Sequence, residues 1–429
     1  MKNTLKIVNK DIDQTLEFQK IIDSTNVNET LRVVRGTYLI SNLFFHSNMR
    51  VIFEEGVVFI NNYQNLDYKL IDTRIAGINM KSYAGILNII DCKNVKLEGH
   101  AIIDGKGDYF YNLYWGKDTK GGLRKIYDAK GIRPLCDYDL KRPRNLLIQN
   151  SSNIIIDSLE SKDSAFWNVH VLYTHDVVLK NIVINCKNLK APSTDGIDID
   201  SSYNVKVIKA TTYTNDDSIC IKSGRDSDGL MTNIPSHDIE ISDCTILKGF
   251  GITIGSEVSG GIFNVNIHDI KYINTDCGFR IKSSPTRKGY IKNVTLSNLD
   301  MIDVKYPIHV SLDWNKNYSN LCIKLPSDYK KEEYVDKLLA PVDDSIPNTI
   351  IDNIVVDNLN SKTTNSKVES RAFEIIGFKD SPIMDFKINN SNIVASEFGR
   401  IGFANVIFNN VKVNVLGQNK PSNDDYDNR

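Results

Sequence analysis

Short runs of alternating apolar and polar residues, each closed by an Asn, Asp or Gly turn, recur along most of the chain. Examples are SNIIIDSL (152–159), HDVVLKNIVI (175–184), YNVKVIKA (203–210), HDIEISDCTI (237–246), FNVNIHDI (263–270), IKNVTLSNL (291–299) and IDNIVVDNL (351–358). A period of two sends one face of a strand to a core and the other to water. The matching aliphatics Ile154, Val177, Val205, Ile239, Val265 and Val294 are separated by 23, 28, 34, 26 and 29 residues. Strand-type alternation at that longer repeat predicts stacked coils, because one strand cannot bury its apolar face alone and each coil completes its neighbour. An all-β parallel β-helix follows. A β-sandwich would need hairpin turns every 8–12 residues, and these repeats are longer.

Helical periodicity is confined almost to the start. Residues 13–23, DQTLEFQKIID, place Leu16, Ile21 and Ile22 on one face, with Asp11 and Asp13 as candidate caps. The helix is expected to cover the first coil, whose bare strand edges would otherwise invite aggregation. Residues 315–350 break the rhythm and read as an inserted loop with a short helix, and the polar stretch 417–429 as a flexible tail. The whole of 1–429 reads as one β-helix domain.

Bulk properties narrow the partners. The 429 residues carry 52 basic and 53 acidic side chains, a formal net charge of −1, so no overall field draws the chain to nucleic acid or membranes. Seven cysteines without CxxC pairs point to reduced, mostly buried thiols. The N-terminus lacks an apolar signal segment, so the chain as written reads as cytoplasmic, and as secreted only if a signal peptide has been removed.

Four segments overlay by their inward isoleucines: TDGIDID (194–200), DDSICIK (216–222), GFGITIG (249–255) and GFRIKSS (278–284). Ile197, Ile219, Ile252 and Ile281 then form one column, with gaps of 22, 33 and 29 residues. Successive coils lie about 4.8 Å apart, so Asp195 falls beside Asp217, with Asp216 next to both. Arg280 and Lys282 project from the outer face two coils on. Two carboxylates about 5 Å apart repel by about 3 kcal/mol at an effective dielectric of about 20, or about two pKa units. That is enough to keep one proton near neutral pH, and an acid beside a base is what glycoside hydrolysis requires.

The order TDGIDID, NDD, G-x-G, RIK resembles glycoside hydrolase family 28, the polygalacturonases and their pectin-cleaving relatives. Supporting stretches are GTYLISNLFFHSNMRVIFEEG (36–56), EGHAIIDGKGDYFYNLYWG (98–116) and RPRNLLIQNSSNIIIDSL (142–159), while IKSGRDSDG and IGSEVSGG resemble the bacterial branch. The resemblance implies a single-stranded right-handed parallel β-helix and inverting hydrolysis of pectic poly- or oligosaccharides containing α-linked galacturonic acid, rhamnogalacturonan-type or exo-acting among them. It implies Asp216 as general acid, Asp195 and Asp217 as the residues that position and activate water, and Arg280 with Lys282 as the holders of a galacturonate carboxylate. A guanidinium fork beside an ammonium suits a sugar acid.

Two positions depart from the family pattern. Its NTD is here Ser193-Thr194-Asp195, and its GHG is Gly249-Phe250-Gly251. Relatives that cut rhamnose-containing pectin also depart at these two places. Trp314 falls near a substrate-contacting Tyr of many relatives. The expected substrate-binding set is therefore Arg280, Lys282, Phe250, Ser193, Asp198 and Trp314, with no metal and no cofactor, in a monomer. His170 reads as a packed structural residue. Asp198 and Asp200 extend the acidic edge and, as oxygen ligands for Ca²⁺, keep a β-helix lyase open as an alternative. A non-catalytic carbohydrate-binding or phage tailspike-like β-helix is the other.

Overall fold

The computed structural model describes residues 4–5, 12–64, 68–117, 119, 121–188, 190–319, 322–364 and 368–417. The aliphatic column read from the repeats is a ladder in space. Ile154 pairs with Val177, Val177 with Val205, Val205 with Ile239, Ile239 with Val265 and Val265 with Val294. It continues through Ile354 to Phe386. An 11-stranded sheet climbs in coil order from Leu43–Phe45 to Glu397–Gly402, and an 18-stranded ladder wraps the remaining faces. One core cluster runs inside both, from Phe18 to Ala395. Burying each such aliphatic contributes at most about 1.5–3 kcal/mol, so stability accumulates coil by coil.

The Asn and Asp turn signals have a backbone cause. Asn264, Asn293 and Asn353 all sit at φ 54–55°, a left-handed corner that Asn tolerates better than most residues. Their amides form a ladder, Asn293 Nδ2 donating to Asn264 Oδ1 at 3.2 Å and Asn353 Nδ2 to Asn293 Oδ1 at 2.9 Å.

The capping helix spans Thr15–Ser24, and Asp13 Oδ1 accepts from the Thr15 amide at 2.7 Å. Asp11 lies outside the described residues, as does the tail beyond Gly417. The buried stripe differs from the expectation. Phe18 and Ile22, four residues apart on one face, enter the core, whereas Leu16 is 78% exposed.

Three insertions leave the coils and meet. They are the antiparallel hairpin Leu70–Ile75/Ile78–Tyr83, the helical segment through Arg133–Leu135 and Cys136–Asp139, and the expected 315–350 loop, which carries two short helices, Lys316–Ser319 and Tyr334–Leu338, where one was expected. Ala76, Ile78, Leu135, Tyr138, Val335 and Leu338 share a second apolar cluster with Trp167. This cluster forms a wall on the outer face of the 11-stranded sheet.

Candidate active site

The second isoleucine column needs one correction. Ile197 pairs with Ile219 and Ile219 with Ile252, but Ile252 pairs with Phe279, and Ile281 stands beside Ile254. The coil is two residues shorter than the isoleucine match implied, with a phenyl ring filling the column. A slip of two keeps side chains on the same face, so Arg280 and Lys282 still project outward.

Two glycines let these coils approach. Gly249 (φ 105°) and Gly251 (φ 69°) adopt conformations costly for other residues. A Cβ on Gly251 would lie 2.1 Å from the Gly278 carbonyl oxygen, and one on Gly249 2.3 Å from Thr214 Oγ1. Phe250 is held between them, its amide donating to the Asp216 carbonyl at 3.1 Å.

Asp195, Asp216 and Asp217 meet at the mouths of Ile197–Asp200 and Ile219–Lys222. The Gly196 amide donates to the Asp217 carbonyl at 2.9 Å, and one oxygen each of Asp195 and Asp217 lies within 4.8 Å of the other and of Cys220 Sγ. Their surroundings separate them. Asp217 is fully buried and both its oxygens are engaged: Oδ1 accepts from Thr253 Oγ1 at 2.7 Å and Arg280 Nη1 at 3.1 Å, and Oδ2 from Lys282 Nζ at 2.6 Å. Burial alone would raise its pKa, but Lys282, Arg280 and Lys222 outweigh it and hold Asp217 well below the usual carboxylate range. Asp216 is partly exposed. Desolvation first, then the charges of Asp195 and Asp217, push its pKa up to about 7. Asp195 is raised as well, by burial and by Asp217, against the pull of Lys222, whose Nζ donates to its Oδ2 at 2.9 Å.

Lys222 was not singled out from the sequence. Its ammonium lies 3.2 Å from Asp198 Oδ1 and 3.7 Å from Glu257 Oε2, under the Trp167 ring at 4.0 Å. The signal was present, since Lys222 shares outward parity with Cys220 one coil above Asp198. Asp195 and Asp217 thus each accept from an ammonium, Lys222 and Lys282 respectively.

The carboxyl of Asp216 stands where two hollows join. An open limb of about 680 Å³ is lined by Phe250, Arg280 and Trp314 among others, and an inner pocket of about 120 Å³, about as open to solvent, by Asp195, Lys222, Glu257, Lys282 and Trp167. Ser193, Asp216, Arg133, Trp314 and Asn315 belong to both. The three insertions each contribute to the inner pocket's lining, through Ala76, Arg133 and Tyr318. Arg280 lies over the Phe250 ring at 4.7 Å and Lys282 over Trp314 at 4.6 Å. Ser193 Oγ donates to Asp137 Oδ1 at 3.3 Å.

Asp198, expected to contact substrate, is instead fully buried and lines neither hollow. Its strand faces outward there, but Lys222 and the next coil cover it. Asp200 is paired with Arg74 at 2.7 Å in an equally buried position, so the edge offered for Ca²⁺ is already neutralised. His170 is buried beside Arg144 at 3.0 Å, and burial lowers its pKa to about 4.

A parallel β-helix with three grouped aspartates in an outer cleft defines the class of this protein. The sequence profile of glycosyl hydrolases family 28 matches residues 69–332, and the chain belongs to that family. It is 31% identical over 220 residues to a probable polygalacturonase of Vitis vinifera, a match covering 51% of this chain and 41% of that protein. An endo-polygalacturonase of Pectobacterium parmentieri is 24% identical over 311 residues, covering 70% and 72%. The match spans less than half the length of the Vitis vinifera protein and of a polygalacturonase of Solanum lycopersicum, 41% and 43%. Among solved structures, an exopolygalacturonase from Thermotoga maritima superposes with a TM-score of 0.77 at 22% identity, covering 95% of this chain and 89% of that one. That likeness establishes the right-handed parallel β-helix fold.

Proposed function

We propose that the protein is an inverting glycosidase that hydrolyses α-linked galacturonan or its oligosaccharides from a chain end. The observation that carries this reading is the pairing of Asp216, protonated up to about pH 7, with an Asp217 kept ionised beside it, at the junction of the two hollows.

The terminal sugar enters the inner pocket and the rest of the chain leaves through the open limb. Asp216 delivers its proton to the glycosidic oxygen as the bond to the anomeric carbon breaks. Asp195, which faces the inner pocket, takes a proton from the water whose oxygen attacks that carbon, and solvent returns the proton balance. A base with a raised pKa is the better acceptor. Asp217 touches neither hollow. Its part is electrostatic: its fixed charge keeps Asp216 protonated and anchors Arg280 and Lys282, which face a uronate carboxylate. Membership of the family supports the substrate class, and the wall supports end-on action.

Incubation with galacturonate oligomers in ¹⁸O water tests the proposal. Expected are monosaccharide as the sole early product and label at the new reducing end. Unsaturated, ultraviolet-absorbing ends would mean a lyase, absence of products a binding protein, and early mixed oligomers an endo-acting enzyme.

A further inference from the structure

A third hollow, of about 490 Å³, lies at the opposite ends of the strands from the aspartates. Gln149 closes the strand Leu146–Gln149 and Tyr173 follows Val169–Leu172, whereas Asp195 precedes Ile197–Asp200. Met80 and Tyr334 line it from the same apolar cluster whose Ala76 and Trp167 border the inner pocket. Among the described residues it shares no lining side chain with either hollow at Asp216. Its volume falls within the range of about 300–1,000 Å³ that small-molecule sites occupy.

Its chemistry is the reverse of that at Asp216. There, Arg280 and Lys282 offer donors; here the surface offers acceptors. Gln149 is only 5% exposed, and its Nε2 donates to the Asp72 carbonyl at 2.9 Å. Its Oε1 accepts no hydrogen bond from the described residues. A buried acceptor without a donor is costly, and a ligand that supplies one recovers that cost. Around it the carboxyls of Asp72, Glu332 and Glu333 stand against the ammoniums of Lys81 and Lys337. Acids in excess beside an open acceptor disfavour a carboxylate and favour a hydroxyl. The thioether of Met80 and the rings of Tyr173 and Tyr334 supply the apolar part of the lining. Hydroxyl donors on a ring with a C–H face are the chemistry of an uncharged sugar.

These groups are fixed before any ligand arrives, which lowers the ordering cost of binding. The Asn79 backbone amide and Nδ2 both donate to Asp228 Oδ2 at 2.9 Å, and Tyr173 Oη donates to Asn79 Oδ1 at 2.6 Å. Arg74 lies over the Tyr173 ring at 4.7 Å. Tyr173 occupies a left-handed corner (φ 51°), unfavourable for a bulky side chain, where the adjacent coils place Asn150 and Ser201.

We propose that this hollow is a second carbohydrate site, which takes one uncharged monosaccharide unit. A sugar hydroxyl donates to Gln149 Oε1, and the C–H face of the ring lies against Met80 and Tyr173. The site stands apart from the hydrolytic reading, since its groups are not those that act at Asp216.

The test is NMR of the full chain labelled with methyl-¹³C methionine, because among the described methionines Met80 alone lines the hollow. Its signal is assigned through Met80→Leu. Methyl glycosides of galactose, xylose, arabinose and rhamnose are titrated in turn, with galacturonate as the charged comparison. At least one neutral glycoside is expected to move the Met80 signal saturably, with a Kd of about 1–10 mM, and galacturonate to bind about tenfold more weakly or less. Gln149→Leu is expected to weaken the neutral sugar about fivefold, and Asp216→Asn to leave its binding unchanged. The Met80 titration of the wild type decides the matter should Gln149→Leu fail to fold. A Met80 signal that stays fixed with every neutral glycoside up to about 100 mM would overturn the site. So would a galacturonate response as strong as the best neutral one, or undiminished binding in a folded Gln149→Leu protein.

Discussion

Asp216→Asn is expected to lower kcat on galacturonate oligomers by about 10³-fold, within the range for a lost general acid, with KM changed far less. The amide keeps the shape of the carboxyl but has no proton to give to a leaving oxygen. The variant is not expected to unfold. Asp216 is an acid whose folded pKa, about 7, stands above its ordinary value of 3.8, so its ionised form opposes folding. That penalty is absent below the ordinary pKa, grows as pH rises between the two values and is complete above about 7. The Asn variant should therefore melt no lower than wild type at pH 8. The same reasoning sets the alkaline limb of the wild-type pH profile: activity falls as pH rises through about 7, where Asp216 loses its proton. Asp217→Asn removes one of the charges that hold the proton there and leaves Arg280 and Lys282 without their anion. The alkaline limb should move to lower pH, and kinetics across pH 4 to 9 read both effects. A 10³-fold loss in Asp216→Asn accompanied by a collapsed melting curve would assign the residue to folding instead.

Lys222→Met is expected to destabilise the protein by about 3–5 kcal/mol at pH 7.5, the usual cost of breaking a buried ion pair by removing one partner. The Lys222 ammonium serves Asp195, Asp198 and Glu257, and these four groups are nearly or fully buried. Methionine fills much of the volume beneath Trp167 but leaves the carboxylates facing one another. The sign of the pH dependence follows. Without the ammonium, Asp195 and Asp198 are pushed further up and Glu257, held low in part by Lys222, rises, so protonation relieves the repulsion and the deficit against wild type should shrink below pH 5. Chemical denaturation at pH 7.5 and 4.5 measures this. Activity should fall too, because Asp195 is then less often ionised, and the acid limb of the profile should move upward in pH. Equal stability of the two proteins at pH 7.5 would mean that Lys222 is not needed to neutralise the acids.

The close grouping of the three aspartates was legible because it depends on one local fact, the register of two consecutive coils. Ile197 over Ile219 sets Asp195 beside Asp217, and the aliphatic column from Ile154 to Val294 announces the stacking that makes such a register meaningful. The next step slipped because a column asks only for an apolar side chain, and Phe279 fills it as well as Ile281 would. The helix stripe was misplaced for a similar reason, Phe18 and Ile22 being better spaced than Leu16 for one face. Asp198 was assigned by proximity in sequence, whereas what lies over an outward strand position depends on the adjacent coils and on Lys222. The wall was the least legible part. Ala76, Arg133 and Tyr318 come from three insertions far apart in sequence, and their meeting is set by tertiary packing that no local period encodes.

The most direct test of the account is a ¹³C NMR titration of the aspartate carboxyl carbons, with Asp216 assigned through Asp216→Asn. The account predicts an apparent pKa near 7 for Asp216, shifted downward in Asp217→Asn, while Asp217 stays ionised throughout the accessible range. An Asp216 that titrates near 4, or one that does not respond to Asp217→Asn, would contradict it.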